Sequence, residues 1–270
     1  MATARSNTEQ HATKSCPHKD GFFDESSYQV IVTEDGSPTI RGMWDETYHS
    51  ISGALQESLH VYIRNGLRYF AQRNAEEGSL SQTVHILDVG FGTGLNALLT
   101  YREMLSGLFP ESTSIYYETV EKFPLPESII QQLVYTDSEQ EMEFFRNIHR
   151  GKWGMPFRAA QGFTMLKHEG DLIGYHPAQK IQIVYYDPFS PAVQPELWTS
   201  EIIDGITPSL QKNAVLTTYC CRGSFKHVLR ESGFVIERLE GTGKKRHILR
   251  AVYCPHNLRI TGVTSSSMIK

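Results

Sequence analysis

The chain has 270 residues, of which 40% are hydrophobic and 21% charged, values that are ordinary for a folded globular protein. There is no run of about 18 apolar residues and no apolar segment near the amino terminus, so we expect neither a membrane span nor a secretory signal. The four cysteines form no Cys-x-x-Cys pair, which argues against a disulfide framework or a metal site and favours a reducing, cytoplasmic setting.

The net charge of −4 is unevenly distributed along the chain. Between Arg222 and Arg250 there are eight Lys or Arg residues and only three Asp or Glu residues. A basic block on an otherwise acidic chain suggests a polyanionic partner. A solvated basic face would give the same composition, so charge alone leaves both possibilities open.

The first part of the chain predicts a small β/α extension. Residues 1–20 are polar and lack periodicity, which is typical of a disordered tail. Tyr28–Thr33 and Thr39–Arg41 have the composition of two strands joined by a turn. Apolar residues then recur at helical spacing over Ser52–Asn65.

From residue 84 onward, predicted strands and helices alternate, which is typical of a parallel sheet with helices on both faces. We therefore predict an α/β, Rossmann-like fold with a mostly parallel seven-stranded sheet and a terminal antiparallel hairpin. The strands are predicted over Val84–Val89, Ser114–Val120, Phe157–Ala160, Lys180–Tyr186, Ala214–Tyr219, Phe234–Leu239 and His247–Tyr253. The helices are predicted over Leu95–Leu105, Pro126–Leu133, Glu139–Ile148, Thr199–Ile206 and Ser224–Glu231.

The first strand of this series ends in the glycine-rich run Asp88-Val-Gly-Phe-Gly-Thr-Gly-Leu-Asn96. Ligands bind at the carboxyl ends of strands in such sheets, and glycines let the backbone turn sharply and approach a ligand closely. The spacing G-x-G-x-G does not match the dinucleotide pattern G-x-G-x-x-G. It is typical of methyltransferases that bind S-adenosyl-L-methionine, although a plain turn without a ligand is the alternative. The predicted cofactor-binding residues of this run are Asp88, Gly90, Phe91, Gly92, Thr93, Gly94 and Asn96.

Two further positions are candidates for the rest of that cofactor. An acidic residue at the end of the second strand binds ribose hydroxyls in related sheets. Of Glu118 and Glu121, we prefer Glu121 because it lies nearer the strand end. Near the third predicted strand, Gly162 and Phe163 occupy the place where many methyltransferases contact adenine, and Phe163 would wall or stack on the ring.

The fourth predicted strand leads into Asp187-Pro-Phe-Ser-Pro, where methyltransferases that modify an amino nitrogen carry an Asp-Pro-Pro-Tyr-like segment. A nitrogen nucleophile must present its lone pair in line with the transferred methyl group, and a carboxylate can orient its N–H groups and offset the developing charge. Asp187 is therefore the predicted catalytic residue and a cofactor contact, together with Pro188. An acidic turn after a buried strand is the alternative interpretation.

At this point the chain resembles a known family, the tRNA 5-methylaminomethyl-2-thiouridine methyltransferases. These comprise the methyltransferase module of the bifunctional enzyme MnmC and its free-standing relatives. The usual Asp-Gly/Ala-Phe-Ala-Pro is Asp-Pro-Phe-Ser-Pro here, and Gly-Phe-Gly-Arg-Lys-Arg is Gly-Thr-Gly-Lys-Lys-Arg, so neither change removes a charge. The matching segments cover roughly residues 28–255 and include Asp45–Ser50, Gly53–Ser58, Asp88–Asn96, Glu121–Leu125, Asp187–Ala192, Glu196–Trp198 and Gly241–Arg246.

The resemblance implies methyl transfer to the 5-aminomethyl nitrogen of a wobble uridine, with the tRNA anticodon arm held by the catalytic domain itself. It implies an extension at 21–83 packed on a methyltransferase domain at 84–256, and a tail at 257–270. Because the chain ends near residue 270, we expect that the flavin-dependent oxidase half is absent and that a separate oxidase supplies the acceptor. We also expect the protein to be a monomer. The candidate residues for substrate or RNA are Tyr48, Gln56, Glu57, Phe189, Lys244, Lys245 and Arg246.

Two other functions stay open at this stage. A small-molecule N-methyltransferase or an aminopropyl-transferring relative would share the glycine-rich run and the acidic residue after the fourth strand. A non-catalytic Rossmann-like protein that binds RNA is the other alternative. The basic turn that contains Lys244, Lys245 and Arg246 argues against the first, because a flexible cationic turn suits phosphates. The intact Asp187 segment argues against the second.

Overall fold

A computed structural model of the chain describes residues 25–42, 44, 46–243 and 245–255. The predicted tails at 1–20 and 257–270 lie outside the described residues, and so does Lys244. Among the described residues, no helix has the length and apolar character needed to cross a bilayer.

Within these residues the main sheet has eight strands in the order β5-β6-β4-β3-β7-β8-β10-β9. β4, β3, β7 and β8 run parallel with β6, and β10 lies antiparallel between β8 and β9. The predicted Rossmann-like α/β class is confirmed. The strands are β3 (Thr83–Val89), β4 (Ser114–Glu121), β5 (Phe157–Ala160), β6 (Phe163–Glu169), β7 (Ile181–Tyr186), β8 (Leu210–Thr218), β9 (Phe234–Glu240) and β10 (His247–Tyr253).

The third parallel strand is not the predicted one. Phe157–Ala160 forms β5, an antiparallel strand at the edge of the sheet, and the parallel neighbour of β4 is β6. The sequence of β6, Phe-Thr-Met-Leu-Lys-His-Glu, is half polar, and this hid a strand whose Phe163, Met165 and Lys167 are fully buried. The sheet therefore has one strand more than predicted.

Helices cover both faces of the sheet. One face packs against an N-terminal helical stretch, α3 (Leu95–Leu105) and α5 (Glu139–Arg150). The other face packs against α6 (Ser200–Ile206) and α7 (Gly223–Glu231). Every residue of the central strand β7 is buried, as expected for a parallel strand covered on both sides.

The N-terminal extension consists of a hairpin, β1 (Gln29–Val32) and β2 (Pro38–Arg41), followed by the helical stretch. This stretch comprises α1 (Ala54–Ser58), a wider π-type segment (Leu59–Arg68) and α2 (Tyr69–Glu76), so it is longer than the predicted helix. The π-type segment lies close against the sheet, because a Cβ atom on Gly66 would lie 3.0 Å from Oγ1 of Thr217. A short helix, α4 (Glu127–Ile130), follows β4.

Candidate active site

A cavity of about 290 Å³ opens at the carboxyl ends of β3, β4, β6 and β7. The strands are in register there, because Val89 pairs with Val120 on one side and with Tyr186 on the other. Each loop that leaves this edge therefore brings its first residues to the same place, as expected for an open α/β sheet. The residues that line the cavity from these loops include Gly90, Glu121, Gly170 and Asp187.

The glycine-rich loop after β3 forms one wall of the cavity. Gly90 has a φ of +90°, and a Cβ atom on it would lie 2.9 Å from the carbonyl oxygen of Asp187. Gly92 has a φ of +50° and donates its N–H to Oε2 of Glu121 at 3.0 Å. The motif therefore brings the loops of β3, β4 and β7 into contact, a role that the glycine spacing alone does not reveal.

The loop ends at the amino terminus of α3. Gly94 is the N-cap residue with a φ of +75°, and no side chain among the described residues caps this helix. A helix start of this kind favours an anionic group such as a carboxylate. Gly94 itself does not line the cavity, and a Cβ atom on it would lie 2.9 Å from Nε2 of His149 on α5.

Three buried oxygen atoms around this loop lack a hydrogen-bond partner among the described residues: Asp88 Oδ1, Thr93 Oγ1 and Asn96 Oδ1. Thr93 and Asn96 line the cavity, whereas Asp88 lies beneath the loop, where its Oδ2 accepts a hydrogen bond from the Tyr117 hydroxyl at 2.7 Å. Burial raises the pKa of Asp88 well above its usual value. Buried polar atoms are rarely left unpaired, so the two of these oxygens that line the cavity fit a ligand that carries donors, such as an α-amino group.

Glu121 lies at the end of β4 and lines the cavity, whereas Glu118 does not. Oε1 of Glu121 accepts the backbone N–H of Phe123 at 2.8 Å. Burial raises the pKa of Glu121, and the N–H groups of Phe123 and Gly92 oppose that rise. Each carboxylate oxygen has a second lone pair, so Glu121 keeps acceptor capacity for ribose hydroxyls. Glu118 instead accepts a hydrogen bond from Tyr175.

The predicted adenine contact at Gly162 and Phe163 is wrong. Both residues lie at the amino end of β6, the opposite edge of the sheet from the cavity, and Phe163 is fully buried in the core. The error follows from taking Phe157–Ala160 as the third parallel strand. The residues that follow β6 and line the cavity are Gly170, Asp171 and Leu172. Asp171 forms an ion pair with Lys122 at 2.6 Å.

Asp187 follows β7 directly, and both oxygen atoms of its carboxylate are held. Oδ1 accepts a hydrogen bond from the Tyr62 hydroxyl at 2.5 Å, and Oδ2 accepts one from Nδ2 of Asn96 at 3.0 Å. Burial raises the pKa of Asp187 to about 7; the Tyr62 hydrogen bond opposes this rise, and the nearby charge of Glu57 adds to it. A carboxyl group of this kind can accept and release a proton near neutral pH.

Hydrogen bonds fix the loop that continues from Asp187. The carbonyl oxygen of Pro188 accepts the Tyr219 hydroxyl at 2.8 Å. The N–H of Phe189 donates to Oε1 of Gln194 at 3.0 Å, and its carbonyl oxygen accepts Nε1–H of Trp198 at 2.9 Å. The loop therefore presents the Asp187 carboxylate and the Phe189 ring in a fixed relation to each other.

Aromatic rings line the cavity around Phe189. The centroid of the Phe189 ring lies 5.0 Å from that of Trp44 and 4.9 Å from that of Tyr48, both in edge-to-face geometry. The Trp44 ring also lies 5.9 Å from Phe123, which follows Glu121. Such rings offer apolar faces and edges for a planar heterocycle.

The basic turn between β9 and β10 reaches the cavity through Lys245. Its ammonium group pairs with Oε1 of Glu57 and lies 4.1 Å from the centre of the Tyr219 ring. Glu57 is only 6% exposed, and its Oε2 accepts the backbone N–H of Ser50 at 2.7 Å. Lys245 thus lies at the cavity in an ion pair, and its predicted contact with substrate or RNA stays a prediction.

Two other predicted substrate residues lie outside the cavity. Gln56 is exposed, and its backbone N–H donates to Oδ2 of Asp35 at 3.0 Å, which corrects its predicted place in the site. Its neighbour Glu57 points the other way on the same helix. Arg246 is exposed and does not line the cavity. The predicted residues that do line the cavity are Tyr48, Glu57, Gly90, Phe91, Gly92, Thr93, Asn96, Glu121, Asp187, Pro188, Phe189 and Lys245, and their roles stay predictions.

Sequence reasoning missed Tyr62, Trp44 and Asp171. Tyr62 belongs to the apolar periodicity of a predicted helix, which indicates a core position. That periodicity gives no signal for the contact that its hydroxyl makes. Trp44 lies in a segment without periodicity. Asp171 had a usable signal, since a Gly-Asp pair follows β6, but that strand was not recognised.

A model of a family described as S-adenosyl-L-methionine-dependent methyltransferases matches residues 166–254. The bifunctional protein MnmC of tRNA 5-methylaminomethyl-2-thiouridine biosynthesis from Idiomarina loihiensis is 30% identical over 86% of this chain and 39% of its own length. The protein of the same name from Leptospira interrogans is 27% identical over 83% of this chain and 35% of its own length. The chain thus spans less than two fifths of the length of these relatives.

The chain is an S-adenosyl-L-methionine-dependent methyltransferase that is similar to MnmC proteins. It is an enzyme that uses S-adenosyl-L-methionine as its cofactor. The crystal structure of MNMC2 from Aquifex aeolicus has the same fold, with a TM-score of 0.69 and 24% identity over 83% of this chain and 70% of that one. The methyltransferase thus has the fold expected for its cofactor. Three features of the described residues fit the methionyl and ribosyl parts of that cofactor. They are the buried oxygens without a hydrogen-bond partner near the glycine-rich loop, the uncapped start of α3 and the carboxylate of Glu121.

Proposed function

We propose that this methyltransferase acts on tRNA and methylates the nitrogen of a 5-aminomethyl group on the (2-thio)uridine at the wobble position, giving 5-methylaminomethyl-(2-thio)uridine. The observation that carries the proposal is the 30% identity, over 86% of the chain, with an MnmC protein of 5-methylaminomethyl-2-thiouridine biosynthesis. The placement of Asp187 at the cavity supports the choice of a nitrogen acceptor.

The chemistry needs a group that can take a proton from the acceptor. An alkylamine is mostly protonated at neutral pH, and its nitrogen cannot attack until the proton has left. When bound, S-adenosyl-L-methionine supplies an electrophilic methyl group on a sulfonium sulfur. The Asp187 carboxylate can orient the amine through its N–H groups and accept the released proton, because burial raises its pKa to about 7.

We call the part of the cavity around Asp187 and Phe189 the acceptor end, because we propose that the acceptor binds there. Its other residues suit a cationic group attached to a planar base. Trp44, Tyr48 and Phe189 supply ring faces and edges there. Glu46 and Glu196 line the same cavity and add negative charge, which favours an ammonium group over a neutral acceptor. A wobble base must leave its stack to enter such a cavity, and wobble bases lie in a single-stranded loop where this costs least.

Contacts with the RNA backbone would come from outside the cavity. Arg246 is exposed next to Lys245 at the cavity, so it can meet a phosphate near the target nucleotide. We expect the catalytic domain itself to hold the anticodon arm and the protein to act as a monomer. We also expect a separate flavin oxidase to supply the acceptor. If so, tRNA binding weakens as salt rises, and Arg246→Ala reduces the slope of that dependence by about one.

A small amine is the second candidate acceptor, and one observation favours it. Lys245, one of the predicted phosphate contacts, is paired with Glu57 inside the cavity, which leaves a mostly acidic pocket that would also accept a free polyamine. Polyamines carry several positive charges and need no RNA-binding surface.

The deciding experiment incubates the purified enzyme with S-adenosyl-L-methionine labelled in the methyl group. The acceptors are bulk tRNA from a strain that lacks this methyltransferase activity, the same tRNA from a strain that has it, and spermidine. Label confined to the first, and recovered after digestion as 5-methylaminomethyl-(2-thio)uridine, supports the proposal. Label in spermidine alone would support the second candidate and overturn the first.

A further inference from the structure

Asp187 is held by a residue that lies 125 positions earlier in the chain. The Tyr62 hydroxyl donates to Oδ1 of Asp187 at 2.5 Å, and Tyr62 itself is 1% exposed. Burial and the negative charge of Asp187 raise the pKa of Tyr62 well above its usual value, so its hydroxyl stays protonated and acts as the donor. Whenever Asp187 is ionised, Tyr62 is therefore the donor of this hydrogen bond.

The backbone around Tyr62 is unusual in a way that favours this contact. Tyr62 lies in the π-type segment Leu59–Arg68, where Val61, Tyr62 and Ile63 are all buried. Segments of this geometry are rare and occur often at functional sites. The close approach of Gly66 to Thr217 fixes the segment against β8, and the Tyr62 ring packs 5.5 Å from that of Tyr185 on β7. These contacts restrain the Tyr62 side chain and hold its hydroxyl at the carboxyl end of β7.

The two donors to Asp187 divide its oxygen atoms between them. Tyr62 binds Oδ1, and Asn96 at the start of α3 binds Oδ2. The backbone of Asp187 is also fixed, because its N–H donates to the carbonyl oxygen of Val89 at 3.1 Å. A carboxylate restrained at three points cannot rotate, so its remaining lone pairs keep one direction toward the cavity.

We propose that Tyr62 is a positioning residue of the methyltransferase, which aims the Asp187 carboxylate at the acceptor nitrogen and keeps it ionised. The inference rests on the proposed role of Asp187 toward a nitrogen acceptor. A donated hydrogen bond stabilises the ionised carboxylate relative to the protonated acid. Without it, burial alone would leave more of Asp187 protonated at neutral pH, and a protonated carboxyl cannot take the proton of the acceptor.

Other charged or titratable groups also face Asp187 and interact with its charge, so they contribute to any pH dependence that involves Asp187. Glu57 on α1 raises its pKa, and Lys245 before β10 lowers it. Asp88 on β3 and Tyr219 after β8 interact with its charge as well. None of these groups changes in a Tyr62→Phe variant, so the difference between the variant and the wild type isolates the hydroxyl.

The test is a carbon-13 NMR titration of the Asp187 carboxyl group, assigned by its disappearance in Asp187→Asn. In Tyr62→Phe we expect the pKa of Asp187 to rise by about one pH unit, since hydrogen bonds to charged groups are stronger than neutral ones. The acid limb of kcat/KM should move to higher pH by the same amount, with activity recovering in alkali. Tyr185→Phe is the matched control, because the Tyr185 hydroxyl lies 3.2 Å from the Thr100 hydroxyl and does not contact Asp187. In this control, neither the pKa of Asp187 nor the pH dependence of kcat/KM should change.

A second replacement covers the case in which Tyr62→Phe does not fold. 3-Fluorotyrosine at position 62 keeps the ring and has a more acidic hydroxyl, which donates a stronger hydrogen bond, so the pKa of Asp187 should fall. An unchanged pKa of Asp187 in the folded variant, with activity reduced equally at every pH, would overturn the inference. The NMR readout needs no acceptor, so it separates this outcome from failure of the proposed function, in which the wild type transfers no methyl group to tRNA.

Discussion

The two ends of the cavity are assembled in different ways. The end at which we propose that the cofactor binds, called the cofactor end, is built largely from one continuous stretch, Asp88–Asn96, with Glu121 and Asp171 from the next two parallel strands. The acceptor end combines residues that are far apart in the chain: Tyr62 contacts Asp187 across 125 positions, and Lys245 contacts Glu57 across 188. Local sequence thus specifies most of the end proposed for the cofactor, whereas tertiary packing brings together the end proposed for the acceptor.

The two ends meet at Gly90. The absence of a side chain there lets the carbonyl oxygen of Asp187 approach the glycine-rich loop, so cofactor and acceptor positions are coupled through a backbone contact. Changes at Gly90 should therefore damage both ends.

The largest effect is expected from Gly90→Ala. The new Cβ atom would lie 2.9 Å from a backbone oxygen at a φ of +90°, so the loop must shift, at a cost of about 1 to 3 kcal/mol in unfolding free energy. S-Adenosyl-L-methionine affinity, measured by calorimetry, should fall by at least about tenfold, the factor that corresponds to about 1.4 kcal/mol. Gly107→Ala is the matched control, with a φ of +80° and open space around it; equal losses of affinity in both variants would show that strain, not the contact with Asp187, is responsible.

A second prediction concerns pH and stability at Asp187. Its pKa of about 7 in the folded state exceeds the usual 3.8, so the folded protein binds this proton more tightly than the unfolded chain. This contribution to stability is complete below about pH 4 and is lost as the pH rises through about 7. Asp187→Asn should therefore be more stable than the wild type at pH 8, by about 1 to 3 kcal/mol, and the gap should close at pH 4.

Urea denaturation at the two pH values measures this difference. Asp171→Asn provides the opposite sign, because its ion pair with Lys122 lowers the pKa of Asp171, although burial opposes that effect. The variant should be slightly less stable than the wild type at pH 8. A gap between Asp187→Asn and the wild type that is the same at pH 4 and pH 8 would contradict the assignment of a buried, ionisable Asp187.

A smaller effect is expected at the ion pair of the acceptor end. Lys245→Met leaves the carboxylate of Glu57 buried without its cation, whereas Lys245→Met combined with Glu57→Gln removes both charges. The double variant should be destabilised less than the sum of the single variants, with a coupling of about 1 kcal/mol in a double-mutant cycle. Cofactor affinity should stay within about twofold of the wild type in all three. Additive losses of stability would show that the pair does not couple.

The smallest effect is expected at the cofactor end from Lys122→Ala. The ion pair with Asp171 joins side chains that are 49% and 34% exposed, so solvent screens it. Thermal unfolding should reveal a loss below about 1 kcal/mol. A larger loss would mean that this pair fixes the loop after β6 more firmly than its exposure indicates.

Sequence reasoning succeeded where the signal is local. The glycine spacing, the acidic residue at the end of β4 and the Asp-Pro-Phe after β7 each follow a strand with clear apolar character. Parallel strands place their carboxyl ends together, so the sequence alone predicts that these separate motifs lie at one cavity.

It failed where a buried position carries a charge. Lys167 is fully buried in β6, where its ammonium group donates to the carbonyl oxygen of His149 at 2.9 Å and lies 4.6 Å from the Trp153 ring. Burial lowers its pKa to about 8. A strand that contains such a residue looks solvent-exposed in sequence, and missing it placed the adenine prediction at the amino end of β6, away from the cavity.

Tyr62 was missed for a different reason. Its spacing matched the apolar face of a helix, which accounts for the ring but says nothing about the hydroxyl. The π-type geometry that turns this residue toward Asp187 has no simple sequence signature. Contacts between residues more than 100 positions apart are properties of the fold and cannot be inferred from either segment alone.

The measurement that tests the account most directly compares cofactor binding with methyl transfer in Asp187→Asn. The variant should bind S-adenosyl-L-methionine within about threefold of the wild type, while single-turnover methyl transfer to the tRNA of a methyltransferase-deficient strain should fall by about 10² to 10⁴. Full transfer by Asp187→Asn would contradict the role assigned to this carboxylate, and loss of cofactor binding equal to the loss of transfer would contradict the division of the cavity into two ends.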